Sequence, residues 1–213
     1  MTNLNSMMDR IDRLESIDQI RQLPAKYALC VDMRDLDALV NLFVEDVYVS
    51  RTLNGRQALK QWYDTALRSG LIGSAHGIHG HIIDIEDGDL ADGLVYSRND
   101  LEQGDVWMME IMAYLDRYER RKGIWYFQRR SPLFWYQCDH TEPPIGGGEN
   151  KLRWKGREWA AGAFHDAFPS WHDWWNEADV GGTSPVKPPA PLGKFLETIR
   201  RGEVAPKVRA RTN

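Results

Sequence analysis

The chain has 213 residues, and 42% of them are hydrophobic, which is enough for one large domain, or one domain with an appendage, to build a core. Its net charge of −4 gives no general attraction to nucleic acid or to anionic membranes, and no apolar run reaches the roughly 20 residues that span a bilayer. The two cysteines are too few for a disulfide framework, and the N-terminus lacks the apolar core of a signal peptide. These features predict a cytoplasmic protein.

Helix signals come first in the chain. Ser16, with Gln19 three residues later, resembles a capping box that opens a helix. The apolar residues that follow recur at nearly helical spacing, at Ile17, Ile20, Leu23, Tyr27, Cys30 and Val31. Pro24 lies within this run and predicts a kink. Asp35 can cap a second helix, and a third is predicted over roughly 56–68, after a short strand and an Asn-Gly turn.

Strand signals occupy the middle of the chain. Alternating apolar residues predict four strands, near 78–86 and over 94–101, 107–115 and 124–135. Tight turns join the strands, so they form an antiparallel meander. Three helices followed by such a meander predict an α+β cone, in which the N-terminal helices gather on one side of a curved sheet.

The chain changes character after residue 138. Proline and glycine pairs in 139–160 predict a flexible connection, and five of the nine tryptophans follow residue 150. We expect one domain over 1–138 and an irregular, Trp-rich extension over 139–213 that packs on the domain or on a neighbouring subunit. Within the extension we expect helices near 170–178 and 192–201. We expect polyproline character over 181–191 and a loose basic end over 207–211.

Three of the six histidines, His76, His79 and His81, are clustered at the start of the first long strand. By simple strand alternation His79 and His81 share a face and His76 does not, so the three do not form a ligand set for a metal ion. The sequence also lacks a zinc-type cysteine pair, a nucleophile elbow and a glycine-rich phosphate loop. We therefore predict no metal site. Acid–base chemistry remains, beside the simpler alternative of polar histidines at a strand start.

Asp32 ends the apolar helical run and is either a helix-terminal turn former or a buried partner; taken alone, the pattern favours the turn former. A buried carboxylate needs a cation or hydrogen-bond donors, and a histidine supplies both. Tyr27 lies five residues earlier, about 140° around an ideal helix, so it shares a pocket with Asp32 only if the helix loosens. Arg129 and Arg130 are either a solvated pair at the sheet edge or, by strand alternation, one of them points inward, where it would need an anionic partner or substrate.

The chain contains the stretches RLESI (13–17), KYALCVD (26–32), DLDAL (35–39) with LF at 42–43 and Asp46, His76, DGD (87–89) and YERRKGIW (118–125). Over about residues 8–136 these resemble the SnoaL-like branch of the NTF2-like superfamily. The resemblance implies an NTF2-like α+β cone. Within the superfamily the chain is similar to hexachlorocyclohexane dehydrochlorinase, scytalone dehydratase and bile-acid 7α-dehydratase.

The resemblance also implies a site. An Asp–His pair falls on Asp32 and His76, a proton-donating tyrosine on Tyr27 and a charge-stabilising arginine on Arg130, while His79 stays the alternative base. The dehydrochlorinase has Lys and Trp where this chain has Tyr27 and Val49, which argues against dehydrochlorination. The predicted substrate-binding residues are His79, Asn99 and Trp107.

The resulting prediction is a cofactor-independent lyase. It would eliminate water, or formaldehyde by C–C cleavage, from a bulky aromatic or polycyclic substrate such as a lignin-derived diaryl, a steroid or a polyketide. The alternatives are an isomerase or cyclase, and a non-catalytic NTF2-like binding module or dioxygenase small subunit. The expected partners are a hydrophobic small molecule and further copies of the chain, a homotrimer before a dimer, without nucleic acid or membrane.

Overall fold

The computed structural model describes residues 4–86 and 88–141, and beyond them residues 164, 168, 184–186, 195 and 208–210. Three helices and a small hairpin come first, in the order α1 (Leu4–Asp32), α2 (Leu36–Asn41), β1 (Tyr48–Ser50), β2 (Leu53–Asn54) and α3 (Arg56–Arg68). Four long strands follow, β3 (Gly73–Ile85), β4 (Leu90–Gln103), β5 (Val106–Arg121) and β6 (Ile124–Asp139). The helices pack on one face of the sheet, so the predicted α+β cone is confirmed.

Helix α1 is longer than the sequence predicts, because it has already begun at Leu4 and runs through Pro24 to Asp32. The predicted start at Ser16 is wrong. Neither side chain caps a helix start. Ser16 is buried, and Oε1 of Gln19 accepts a hydrogen bond from the backbone N–H of Trp125, in the β5–β6 hairpin, at 3.2 Å. The helical spacing itself holds, since the buried positions include Ile20, Leu23, Tyr27 and Val31. No helix among the described residues is long and apolar enough to cross a membrane.

Helix α1 ends in a Schellman motif. The backbone N–H of Arg34 bonds the carbonyl of Val31 at 3.1 Å, and that of Asp35 bonds the carbonyl of Cys30 at 2.9 Å. Arg34 has a φ of 60°, in the left-handed region where glycine is usual at this position. Asp35 then caps α2 as predicted, because its Oδ1 accepts the backbone N–H of Ala38 at 3.0 Å.

The four long strands pair antiparallel in the order β3-β4-β5-β6, which is the predicted meander. The first strand differs most from its prediction, because β3 begins at Gly73 rather than near residue 78. Its first half, with glycines at 73, 77 and 80, has no run of apolar residues to reveal the alternation. His76 consequently lies inside a paired strand, opposite Asn99 of β4.

The sheet carries a hydrophobic cluster on each face. The inner cluster joins the three helices to the sheet and includes Ile20, Tyr27, Phe43, Tyr118 and Phe127. The outer cluster combines sheet residues with rings from the C-terminal extension, namely Leu94, Ala113 and Leu115 with Phe164 and Phe195. The extension therefore contributes aromatic side chains to the second core.

Most predictions for the extension lie outside the described residues. These are the five tryptophans and the helices near 170–178 and 192–201, of which only Phe195 is described, as helical. Two short strands, β7 (Ser184–Val186) and β8 (Val208–Ala210), pair antiparallel, so the polyproline and loose-end predictions are wrong for these six residues. Pro185 is tolerated in β7 because a two-stranded sheet leaves every strand at an edge.

Gly93 of β4 provides a test of the inner packing. A Cβ at this position would lie 2.8 Å from Cε2 of Tyr118 and 3.0 Å from Nε2 of His81. Because Tyr118 is fully buried, we expect Gly93→Ala to lower the free energy of unfolding by about 1–3 kcal/mol in urea denaturation. Gly80→Ala is the matched control, since its Cβ would meet only Tyr96, at 3.6 Å. Equal destabilisation by both variants would contradict this packing.

Candidate active site

The end of α1 and the first half of β3 bring Asp32 and His76 into contact. Nδ1 of His76 lies 2.7 Å from Oδ1 of Asp32, and the backbone N–H of His76 donates to Oδ2 at 2.9 Å. Ser74, on the same strand face as His76, donates its hydroxyl to Oδ1 at 2.9 Å. Only 8% of the His76 side chain and 14% of the Asp32 side chain are exposed. The two residues that the sequence analysis paired are therefore neighbours in the structure.

The donors around Asp32 decide its charge. Burial by itself raises the pKa of the Asp32 carboxyl, but hydrogen bonds from the side chain and backbone of His76 outweigh burial, and the net shift is downward. An ionised Asp32 can only accept a hydrogen bond, so Nδ1 of His76 carries the proton and donates it in that bond. The neutral imidazole then carries its lone pair on Nε2, which is the arrangement of a general base.

Tyr27 approaches the same histidine from α1. Its ring lies edge-on to the His76 ring, with 6.3 Å between the centroids, and its hydroxyl lies 3.1 Å from the hydroxyl of Tyr63 on α3. The helix does not loosen, because α1 stays continuous to Asp32, so the condition set for Tyr27 and Asp32 to share a pocket is not met. No loosening is needed, since Tyr27 and Asp32 meet at His76 on the facing strand. Burial raises the pKa of Tyr27, so its hydroxyl keeps its proton at neutral pH.

Arg130 points inward from β6 but already has an anionic partner. Its Nε and Nη2 donate to the two carboxylate oxygens of Asp116 at 3.0 and 3.1 Å, and 3% and 0% of the two side chains are exposed. The guanidinium lies against three rings, with its Cζ 4.2 Å from the Tyr27 centroid, 3.9 Å from Tyr114 and 4.7 Å from Phe127. Its Nη1 has no hydrogen-bond partner among the described residues. The arrangement places positive charge against the ring of Tyr27.

A β-bulge separates the three clustered histidines. Ile78 pairs with Ser97 and His81 with Val95, so two residues of β3 stand opposite one residue of β4. The prediction that His79 and His81 share a strand face, without His76, is therefore wrong. The bulge turns His81 to the inner face with His76, and His79 is exposed. Burial lowers the pKa of His81 to about 4, and its Nε2 lies 3.0 Å from the Tyr118 hydroxyl. Across residues 4–86 and 88–141, and the few described beyond them, no cluster of three or more His, Cys, Asp or Glu could hold a metal ion.

A row of polar side chains crosses the inner face of the sheet from His76. Asn99, Glu110 and Gln137 follow it as successive cross-strand partners, and all three are buried. Nδ2 of Asn99 donates to Glu110 at 3.1 Å, Gln137 donates to the other oxygen, and Oδ1 of Asn99 accepts from Ser97 at 2.6 Å. Asn99 thus faces the interior as a substrate-binding residue would, but protein groups occupy its amide. Burial raises the pKa of Glu110.

Trp107 lies away from this interior. It is 50% exposed and shares the outer strand face with Ala113 and Leu115. Of the predicted site residues, the structure gathers Asp32, His76, Tyr27, Arg130 and Asn99 on the inner side, and leaves His79 and Trp107 outside it.

Ser74, Tyr63 and Glu110 also lie at the site and were not predicted from the sequence. Two of them have a signal in the sequence once the strands are known. Ser74 is two residues before His76 and so shares its strand face. Glu110 is two residues from both Met108 and Met112 and so shares the buried face of those residues. Tyr63 shows no such signal, because its role depends on how α3 crosses α1.

Solved structures resemble the chain in fold. An NTF2-like protein of cystatin-like fold from Novosphingobium aromaticivorans has 26% identity and a TM-score of 0.53, covering 63% of this chain and 91% of its own. A provisionally named scytalone dehydratase from the same species has 22% identity and a TM-score of 0.54, covering 62% and 91%. The type 3 hexachlorocyclohexane dehydrochlorinase from Novosphingobium barchaimii has 19% identity and a TM-score of 0.56, covering 65% and 99%.

Curated proteins give no significant match to the chain. A family model described as a SnoaL-like domain matches residues 12–131, more than half of the chain. The match begins within α1 and ends halfway along β6, and so includes Asp32, His76, Tyr27 and Arg130. The chain therefore belongs to the family of SnoaL-like domains.

Proposed function

We propose that the protein is a cofactor-independent lyase in which His76 removes a proton from the substrate and Asp32 orients His76. The observation that carries this proposal is the 2.7 Å contact between Nδ1 of His76 and Oδ1 of Asp32. A carboxylate in this position fixes one tautomer of the imidazole and stabilises the imidazolium that forms when Nε2 takes a proton. General acid–base catalysis of this kind gives about 10²–10⁴-fold, and positioning supplies more.

Tyr27 is the proposed proton donor to the leaving group. Its hydroxyl keeps its proton at neutral pH, and the neighbouring Arg130 guanidinium opposes the effect of burial on its pKa. Positive charge on the ring face stabilises the phenolate that remains after proton transfer. Arg130 is in this proposal a positioning residue that acts through Tyr27, because Asp116 occupies two of its donors.

The proposed reaction moves protons and a leaving group. For loss of water, His76 takes a proton from carbon, the C–H electron pair forms the C=C bond, and the C–O bond breaks as Tyr27 protonates the departing oxygen. For loss of formaldehyde, His76 takes the hydroxyl proton, the O–H electron pair forms the C=O bond of formaldehyde, and the electron pair of the broken C–C bond takes a proton from the Tyr27 hydroxyl. Neither route transfers electrons to an acceptor, so neither requires a redox cofactor.

The aromatic side chains around Tyr27 support the proposed substrate class. The rings of Phe43, Tyr63, Tyr114 and Phe127 lie within 6.5 Å of its ring, centroid to centroid. Such rings suit a bulky aromatic or polycyclic substrate. A tyrosine acid favours an oxygen or carbon leaving group over chloride, which needs no proton.

Substitution of the pair tests the proposed base. We expect His76→Ala and Asp32→Asn each to lower kcat/KM by about 10²–10⁴-fold, with circular dichroism and Tm showing a retained fold. His79→Ala is the matched control, because His79 is exposed on the far side of the bulge, and it should keep full activity. Activity that survives both changes in the pair would refute the proposal.

Tyr27→Phe tests the proposed acid. The variant keeps the ring against Arg130 and loses only the hydroxyl, so we expect kcat to fall by about 10²-fold or more with little change in KM. The loss should be largest for substrates with poor leaving groups, because these need the proton most. Tyr63→Phe is the control that keeps the Tyr27 hydroxyl. An equal loss for good and poor leaving groups would show that Tyr27 is not the acid.

A product screen tests the reaction class. Steroid, polyketide and lignin-dimer substrates would be incubated with the purified chain and the products weighed by mass spectrometry. We expect a product lighter by one water or one formaldehyde, formed by the wild type and not by His76→Ala. A product of unchanged mass would indicate an isomerase or cyclase and contradict elimination.

A further inference from the structure

Arg34 occupies a backbone position that does not suit it. It is the residue after the C-cap of α1, with a φ of 60°, where a residue with a Cβ is less stable than glycine by about 1–2 kcal/mol. Lys122, in the β5–β6 turn, is the other non-glycine residue with positive φ among those described. An arginine in this conformation is retained only if its side chain compensates for the backbone.

The guanidinium of Arg34 bridges the end of α1 and the start of β3. Its Nη1 donates to the carbonyl of Val31 at 2.6 Å and to Oγ of Ser74 at 2.8 Å. Its Nη2 donates to the carbonyl of Leu71 at 3.2 Å. All three acceptors belong to the two segments that meet at the Asp32–His76 pair.

The contact with Ser74 fixes the direction of a hydrogen bond. A serine hydroxyl has one proton and two lone pairs, and a guanidinium can only donate. Ser74 must therefore accept from Arg34 and is left with its proton for Oδ1 of Asp32, 2.9 Å away. The series of donors runs from Arg34 through Ser74 to the carboxylate that holds His76.

We propose that Arg34 is a positioning residue of the Asp32–His76 pair, acting through the hydroxyl of Ser74. The guanidinium occupies a lone pair of the Ser74 hydroxyl, so that the hydroxyl proton is directed to Asp32. This inference rests on the proposed function for its catalytic consequence. The orientation of Ser74 and the charge of Asp32 can be measured without any substrate.

The other charged and titratable groups near the pair do not replace this contact. Tyr27 faces His76 from α1, and Glu110 interacts electrostatically with His76 from β5. Neither donates to Asp32, whose donors are His76 and Ser74. Loss of the Ser74 hydrogen bond should therefore make the carboxylate easier to protonate.

The first experiment follows the Asp32 carboxyl by ¹³C NMR titration, with its signal assigned from the Asp32→Asn spectrum. Arg34→Gly removes the guanidinium and relieves the backbone, and Ser74→Ala removes the hydroxyl. We expect each to raise the titration midpoint by about one pH unit, because a hydrogen bond to a charged group is lost. Arg34→Lys should restore part of the difference. Arg68→Ala is the control, an arginine paired with Asp64 on α3.

A double variant tests whether the two residues act in series. If Arg34 acts through Ser74, Arg34→Gly combined with Ser74→Ala should raise the midpoint no further than Ser74→Ala alone. Additive shifts would overturn the proposal. Arg34 also lines an open groove of about 490 Å³ between α2 and α3, from which added guanidinium ion can approach the position of the deleted side chain. We expect it to lower the midpoint of Arg34→Gly and to leave that of Ser74→Ala unchanged.

Activity separates this inference from the proposed function. In the pH profile of kcat/KM, the acid limb should move to higher pH in Arg34→Gly, because the pair loses its working charge state sooner as pH falls. A wild-type titration midpoint in Arg34→Gly would overturn the positioning role even if His76 proves essential. A raised midpoint, together with full activity of His76→Ala, would uphold the positioning role and refute the lyase mechanism.

Discussion

The carboxylate of Asp32 is the interaction on which both fold and site depend. It lies at the end of α1 and takes hydrogen bonds from two residues of β3, so it fixes how the longest helix meets the first strand of the sheet. A largely buried carboxylate is stable only with such donors. The donors that stabilise the tertiary contact are the ones that orient His76. Packing and chemistry therefore impose the same constraint on this part of the chain.

Tyr27 connects this pair to a second buried charge. One contact of its ring is with His76 and another is with Arg130, whose charge Asp116 balances. Removing one member of a fully buried ion pair leaves the other uncompensated, so the interior tolerates the pair only as a unit. The aromatic rings between the two charged sites exclude water, which strengthens each electrostatic contact.

The sequence predicted those features that local patterns encode. Asp35 as a cap and the bounds of α3 follow from capping and periodicity, and the meander follows from alternation and turns. The start of β3 was hidden because glycines leave no alternation to detect. The bulge inverted the parity of His81, and no residue type marks a bulge by itself. The pairing of Asp32 with His76 came from family resemblance, since the residues alone favoured a turn former. Arg34 and Tyr63 depend on tertiary crossings that no short window contains.

The bulge in β3 also divides that strand into two parts whose side chains make different contacts. Before the extra residue, Ser74 and His76 present the polar groups that meet Asp32; after it, Ile83 and Ile85 present side chains to the inner cluster. Without the extra residue, one part would turn its side chains to the opposite face of the sheet. The extra residue thus acts as a phase shift, which keeps the side chains that meet Asp32 and those that join the inner cluster on the same face of the sheet.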